Sequence, residues 1–338
     1  MFKILEKIFS IKTEKFELYS NHKITFFGIK YKYKTFNSKR IVSYNKQIRS
    51  YNVLFNKILT PSRIPSATGK LREYQLRLVN FGKEVIQMLE KEKFHPMLVG
   101  GALIGAVRHG GFVPWDDDLD FDLMRDEYNR LIEFMKEKFI YISTYNCKSD
   151  DDCYELVDKA IVKNPNKLIC VEKTSCISIF KGEDLEDCIV LDFFPRDYLN
   201  PNVTKEIYSK YREKQQKILK KGNKNYKIYF DKYRKELNNS EIYAKESNLT
   251  GYGWGNISFT YKKFSIMPID VVKPYTRINF EGIEFYTLSN YKEYLKDFYK
   301  NYMNIPKNIE LCKYIKYFSE WLKSKNRKFY FDIDDIIK

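Results

Sequence analysis

Between Val99 and Asp122 the chain reads Val-Gly-Gly-Ala-Leu-Ile-Gly-Ala-Val-Arg-His-Gly-Gly-Phe-Val-Pro-Trp-Asp-Asp-Asp-Leu-Asp-Phe-Asp, with five aspartates inside the last seven positions. Carboxylates packed this closely repel one another, so a folded chain keeps them together only beside a compensating cation. Asp118-Leu119-Asp120 reads as the start of a strand. Alternation there puts Asp118 and Asp120 on one face, close enough to share a metal ion or bracket two. An all-oxygen ligand set suits Mg²⁺ or Mn²⁺ and not zinc. Two such ions can clamp the attacking and leaving oxygens of a phosphoryl displacement. Upstream, Gly100 and Gly101 follow a short apolar strand (97–99) and precede an expected helix over 102–108. A glycine turn at a helix N-terminus offers free N–H groups to a phosphate. A phosphate site and a metal site are thus expected on one strand–turn–helix scaffold.

The run Gly100 to Asp120 resembles the signature of the LicD family of phosphotransferases. The resemblance extends to Val190-Leu191-Asp192-Phe193-Phe194-Pro195, similar to that family's second acidic strand. It also takes in a C-terminal block over 280–285, 291–295 and 302–306. Gly110 stands where a polar or basic residue is common, and Ser289 where a proline is usual. The resemblance implies an α/β (α+β) nucleotidyltransferase-like fold, a mixed sheet with helical insertions. It also implies metal-dependent transfer of phosphocholine or a related alcohol phosphate from CDP-choline or another CDP-alcohol. The acceptor would be a hydroxyl of a surface glycan (a lipopolysaccharide, capsule or teichoic-acid precursor), and CMP would be released. Asp118, Asp120 and Asp192 are then the catalytic and metal-binding set. Asp192 either completes the coordination or takes the proton from the acceptor hydroxyl. Gly100, Gly101, Arg108 and His109 are the substrate-binding candidates, with Arg108 suited to a diphosphate. For His109 a phosphate contact, acid–base work and a structural hydrogen bond are all open. Asp116 and Asp117 are expected to orient the ligands from behind. Asp122 is either a further ligand or solvent-facing. Trp115 is expected to pack the turn. A choline cargo needs an aromatic cage, for which Tyr252-Gly253-Trp254-Gly255 is the candidate. Two rival readings are a nucleotidyltransferase that releases pyrophosphate and a noncatalytic membrane-associated scaffold. An intact acidic set argues against the scaffold.

At 338 residues, 43% hydrophobic and 17% aromatic, the chain can build one large core with an appendage. Residues 1–60 are expected as a helix-and-hairpin appendage and 61–338 as the catalytic domain, joined by the Pro61–Gly69 linker. Within the appendage, residues 2–16 read as a basic amphipathic helix, a candidate membrane-surface foot. Residues 23–34 read as a hairpin. Further helices are expected over 71–93, from an N-cap at Asp126, and over 205–237 as a solvated helical hairpin broken near Gly222. Candidate strands fall at 170–171, 177–180 and 188–194. The six cysteines form no Cys-x-x-Cys pair, and only three histidines are present, which excludes a structural zinc site. Together with an N-terminus that does not read as a signal peptide, this gives a cytoplasmic expectation, at the inner face of the membrane. The net charge of +16 is spread along the chain without any nucleic-acid motif, so it favours an anionic membrane surface over nucleic acid.

Overall fold

The computed structural model describes residues 9–15, 19–26, 29–36, 46–47, 49–51, 53–58, 60–221, 226–252, 266–306, 309 and 312–330. The chain divides into two compact units, Met1–Pro61 with Asn304–Asn308, and Ser62–Met303 with Ile309–Lys338.

The first unit holds an antiparallel three-stranded sheet, β1 (Phe9–Lys15), β2 (Tyr19–Phe26) and β3 (Ile29–Phe36). Ile24 faces Tyr31 across the expected hairpin. The helix expected over 2–16 is corrected for residues 9–15, which form a strand, while residues 2–8 lie outside the described residues. Phe9, Ile11 and Thr13 alternate with Ser10, Lys12 and Glu14. That period of two suits a strand, and β2 supplies an edge on which it pairs, Ile11 facing Ile24. The amphipathic-helix argument for a membrane foot is therefore lost over this stretch. Asn56 ties residues 304–308 into the unit: its side chain accepts from Ile305 N (2.5 Å) and donates to Ile305 O (3.3 Å).

The second unit is mixed α/β. Its strands are β4 (Met97–Leu98), β5 (Asp120–Met124), β6 (Ile140–Ser143), β7 (Ile169–Glu172), β8 (Ile177–Lys181), β9 (Ile189–Leu199), β10 (Leu249–Tyr252), β11 (Ile266–Pro268), β12 (Thr276–Phe280) and β13 (Ile283–Thr287). They form one ten-stranded sheet in the order β12-β13-β4-β5-β9-β8-β7-β6, with β10 pairing the far half of β9 and β11 pairing β10. Parallel pairs (β13–β4, β5–β9, β6–β7) mix with antiparallel ones. The nine helices among the described residues of this unit are α1 (Gly69–Lys91), α2 (Gly100–His109), α3 (Arg125–Lys138), α4 (Asp150–Lys163), α5 (Lys205–Lys221), α6 (Tyr226–Glu236), α7 (Ile269–Val272), α8 (Tyr291–Tyr299) and α9 (Lys313–Ser324).

β5 and β9 are buried at every position except Asp120, Asp192 and Phe194, as strands covered on both faces are. Phe121 stacks on Phe193 across them (5.5 Å between centroids), and both rings are fully buried. The α1 residues Leu71, Leu78, Phe81, Val85 and Leu89 share that core, at the spacing of one helix face. Two expectations change. α3 begins one residue before Asp126, so Asp126 lies in its first turn, where its charge suits the helix dipole, and Met124 takes the N-cap. The 205–237 hairpin is helical, but α5 is not a wholly solvated surface. Tyr208, Tyr211, Arg212 and Gln215 are buried along one stripe, and the tyrosines pack with Leu199, Val203 and Tyr243. Among the described residues no helix is long and apolar enough to cross a membrane. All six cysteines are free thiols, five of them buried.

Candidate active site

The glycine turn and the aspartates meet directly. Val99 leaves β4 and N-caps α2, and Gly100 takes φ +65°, a left-handed conformation that side chains other than glycine rarely adopt. A Cβ there would lie 3.3 Å from Asp120 Oδ2, and one on Gly101 would run into the Asp116 carboxylate. The first turn of α2 thus rests its N-terminal N–H groups and positive dipole end against acidic side chains.

Strand register aligns the rest. Asp120 on β5 pairs with Asp192 on β9, and Asp192 pairs with Ser178 on β8, which places the three side chains in one row on one face of the sheet. β5 begins at Asp120 and not at Asp118, so Asp118 approaches from the irregular segment before the strand. Its charge still reaches the row. Burial, then the Asp118, Asp192, Asp116 and Asp122 charges, hold the Asp120 carboxyl well above the usual carboxylate range. Burial, then Asp118 and Asp117, do the same to Asp116. Mutual repulsion of this kind is what a bound cation would relieve. Among the described residues no three carboxylate, imidazole or thiolate side chains already stand as a closed ligand shell. The case for a divalent ion therefore rests on the charge and the oxygen-only chemistry of the set.

The five aspartates have separate roles. Asp116 stands in the acidic cluster, beside Gly101. Asp117 is buried, and its Oδ2 accepts the backbone N–H of Ile315 at 2.6 Å, capping the first turn of α9. Asp122 is neither solvent-facing nor in the row. It is fully buried, and its Oδ2 accepts from both Nε (3.1 Å) and Nη2 (2.8 Å) of the equally buried Arg196. Alternation does give Asp122 the face of Asp120, but two residues further along the strand that face is core.

Around Asp192 stand residues that the motifs did not single out. The Ser178 hydroxyl donates to Asp192 Oδ1. The Lys173 ammonium lies 3.6 Å from the same oxygen and the Cys176 thiol 3.9 Å. Burial pulls the Lys173 ammonium down, and Asp192, Cys176 and Tyr154 together more than offset it, leaving its pKa above the ordinary lysine value.

Arg108 is buried at the end of α2. Its Nε donates to His109 Nε2 (2.9 Å) and its Nη1 to the Tyr302 carbonyl (2.9 Å). Its guanidinium carbon lies 5.8 Å from the Trp115 ring centre. Burial lowers its pKa to about 10 and the Asp116 charge works against that, so it remains a cation facing the acidic cluster. Burial and then Arg108 push His109 down to about 4. The shift favours the neutral imidazole, whose Nε2 accepts from Arg108.

The loop over 110–119 is locked from several sides. Gln75 donates to Asp116 O (2.9 Å), and Trp115 O accepts from Cys312 N (3.0 Å). Glu281, held by Arg72 at 2.7 and 2.8 Å, accepts from Phe112 N (3.0 Å). Arg72 and then Phe112 N lower the Glu281 pKa against its burial. Gly105 and Gly111 permit this closure: a Cβ on Gly105 would meet the Gly111 carbonyl, and one on Gly111 the Glu281 carboxylate. Gly105→Ala is expected to destabilise the protein by about 1–3 kcal/mol through overpacking against backbone that cannot yield. Denaturant unfolding measures this, and an unchanged midpoint would show that the loop has room to move.

The family model of the LicD/FKTN/FKRP nucleotidyltransferase domain matches residues 93–158. The chain is also 26% identical over 255 residues to the lipopolysaccharide cholinephosphotransferase LicD of Haemophilus influenzae, across 70% of this chain and 92% of that protein. By both comparisons the chain is similar to LicD-family proteins. An uncharacterized protein of Rickettsia typhi is 28% identical over 134 residues, 39% of this chain and 37% of that one. Another from Rickettsia prowazekii is 34% identical over 62 residues, 18% and 23% of the two chains. The LicD span 93–158 contains the glycine turn, Arg108, His109 and Asp116 to Asp122. Asp192, Ser178 and Lys173 lie beyond it and join the site through the sheet register. The candidate cage at 252–255 is not tested, because residues 253–265 lie outside the described residues.

Proposed function

We propose that this chain is a LicD-family phosphotransferase that moves phosphocholine, or a related alcohol phosphate, from a CDP carrier to a surface-glycan hydroxyl and releases CMP. The observation that carries the reading is the meeting of Asp116, Asp118, Asp120 and Asp192 at the Gly100–Gly101 turn. The cholinephosphotransferase name of the Haemophilus relative supports the cargo. The acceptor hydroxyl attacks the distal phosphorus. A P–O bond to the glycan forms as the P–O bond to CMP breaks, and the bonding pair leaves with CMP. The hydroxyl proton passes to a carboxylate oxygen of Asp192, which Ser178 and Lys173 hold in place. Asp118 and Asp120 would hold Mg²⁺ or Mn²⁺, which when bound supplies Lewis-acid stabilisation of phosphoryl charge. The N–H groups of the α2 turn and the Arg108 charge face the diphosphate. Six free thiols favour a reducing compartment, so we place the reaction in the cytoplasm, at the inner membrane face where glycan precursors are reachable.

The test is to incubate the protein with a panel of CDP-alcohols and Mg²⁺, with and without glycan precursor, and to measure CMP. Glycan-dependent CMP release is expected. Pyrophosphate formed from CTP in its place would make the chain a nucleotidyltransferase. Asp192→Asn should lower kcat by about 10²–10⁴-fold, the scale of a lost general base, with little change in CDP-alcohol affinity. An Asn variant that instead loses affinity and keeps kcat would move Asp192 from proton transfer to donor binding.

A further inference from the structure

A cavity of about 250 Å³ shares Lys173 with the Asp192 site. Its walls come from α4, the β7–β8 hairpin, α6 and α9. Five of the lining residues are aromatic: Tyr154, Phe180, Tyr226, Tyr317 and Phe318. Tyr154 and Phe180 each meet Phe318 edge-on, at 5.6 and 6.3 Å between centroids, which fixes these three lining rings relative to one another. The charged lining residues are of opposite sign. Asp150 accepts the Tyr226 hydroxyl at 2.5 Å, while Lys173 lies over the Phe180 ring and 3.6 Å from Asp192.

We infer that this cavity is the subsite for the cationic alcohol of the donor, receiving a quaternary ammonium among the rings beside Asp150. The inference rests on the phosphotransfer reading and names the part of the substrate that the fold recognises. A trimethylammonium is both apolar at its surface and charged. Aromatic faces with one carboxylate satisfy both properties, whereas a nucleobase needs an edge of paired donors and acceptors. The two wall charges match a zwitterion. Lys173, at the Asp192 end, suits the phosphate, and Asp150 suits the ammonium. The same arrangement disfavours polyol phosphates such as glycerol or ribitol phosphate, whose hydroxyls would be desolvated against rings.

Calorimetric titration of the intact protein with phosphocholine, its uncharged isostere 3,3-dimethylbutyl phosphate and CMP tests the assignment. Two variants serve, Tyr317→Ala, which alters a half-exposed residue, and Asp150→Asn. Wild type should bind phosphocholine about tenfold or more tighter than the isostere. Each variant should lose about tenfold for phosphocholine and keep its affinity for CMP. Equal binding of phosphocholine and isostere, or unchanged affinities in both variants, would overturn the subsite. So would a loss of CMP affinity alone, which would make the cavity a base pocket. CMP release from CDP-choline, measured on the same samples, separates the two readings. Charge-selective phosphocholine binding without turnover leaves the subsite and removes phosphotransfer. Turnover with an unaltered KM for CDP-choline in both variants leaves phosphotransfer and removes the subsite.

Discussion

Asp118→Asn and Asp120→Asn are each expected to reduce transfer by at least about a hundredfold, the scale of losing one preorganised charge partner of the transition state, while the fold persists. The sign of the stability change distinguishes this from ordinary damage. In the metal-free protein Asp120 is penalised by burial and by the charges of Asp118, Asp192, Asp116 and Asp122. A carboxyl whose folded pKa is raised stabilises the fold below its unfolded pKa, and that contribution is lost as pH rises through the folded value. Near neutral pH, replacing such a group by a neutral amide removes repulsion. The Tm without metal should therefore hold or rise in Asp120→Asn. Wild type should gain stability from Mg²⁺ by mass action, and the variants should lose that gain. Thermal melts at several Mg²⁺ concentrations, beside a CMP assay, give both readouts. Near-normal turnover in either variant would sink the assignment of these residues to the metal.

The acidic cluster was legible because its signal is local: five aspartates within seven positions, and a further aspartate inside an apolar strand. The glycine turn was legible for the same reason. What the sequence hid depends on depth and register. Nothing in Glu172-Lys-Thr-Ser-Cys176 marks Lys173 out from dozens of other lysines. Only the pairing of β8 with β9 sets Ser178 opposite Asp192. Asp116 and Asp117 are adjacent and chemically identical, yet one meets Gly101 and the other caps a helix about 200 residues away in sequence. Residues 9–15 fit a helical pattern when read with residues 2–8, and a strand when read alone. The neighbouring hairpin, a tertiary partner, decided between them. The buried stripe of α5 was masked by lysines on its other faces.

Asp122→Ala is expected to have the largest effect on stability of any single change to the acidic segment. Both side chains of the Asp122–Arg196 pair are fully buried, and the Arg196 guanidinium lies 5.6 Å from the Tyr294 ring. Removing the carboxylate leaves the guanidinium charge desolvated in the core, which typically costs about 3–5 kcal/mol. That is a fall in Tm on the order of 10 °C for a chain of this size. The pair itself is not the source of that stability, since two charges taken out of water give back most of their attraction as desolvation. Asp122→Leu combined with Arg196→Met should therefore recover most of the loss suffered by either single variant, and a double-mutant cycle measures the recovery. The next residue along β9, Asp197, makes a second ion pair with Arg125 at 2.5 Å, so the strand is pinned to the start of α3 independently and the double variant keeps its register. If Asp122→Ala were instead as stable as wild type and had lost its response to Mg²⁺, Asp122 would be a metal ligand, and the row at the glycine turn would extend one step deeper into the sheet.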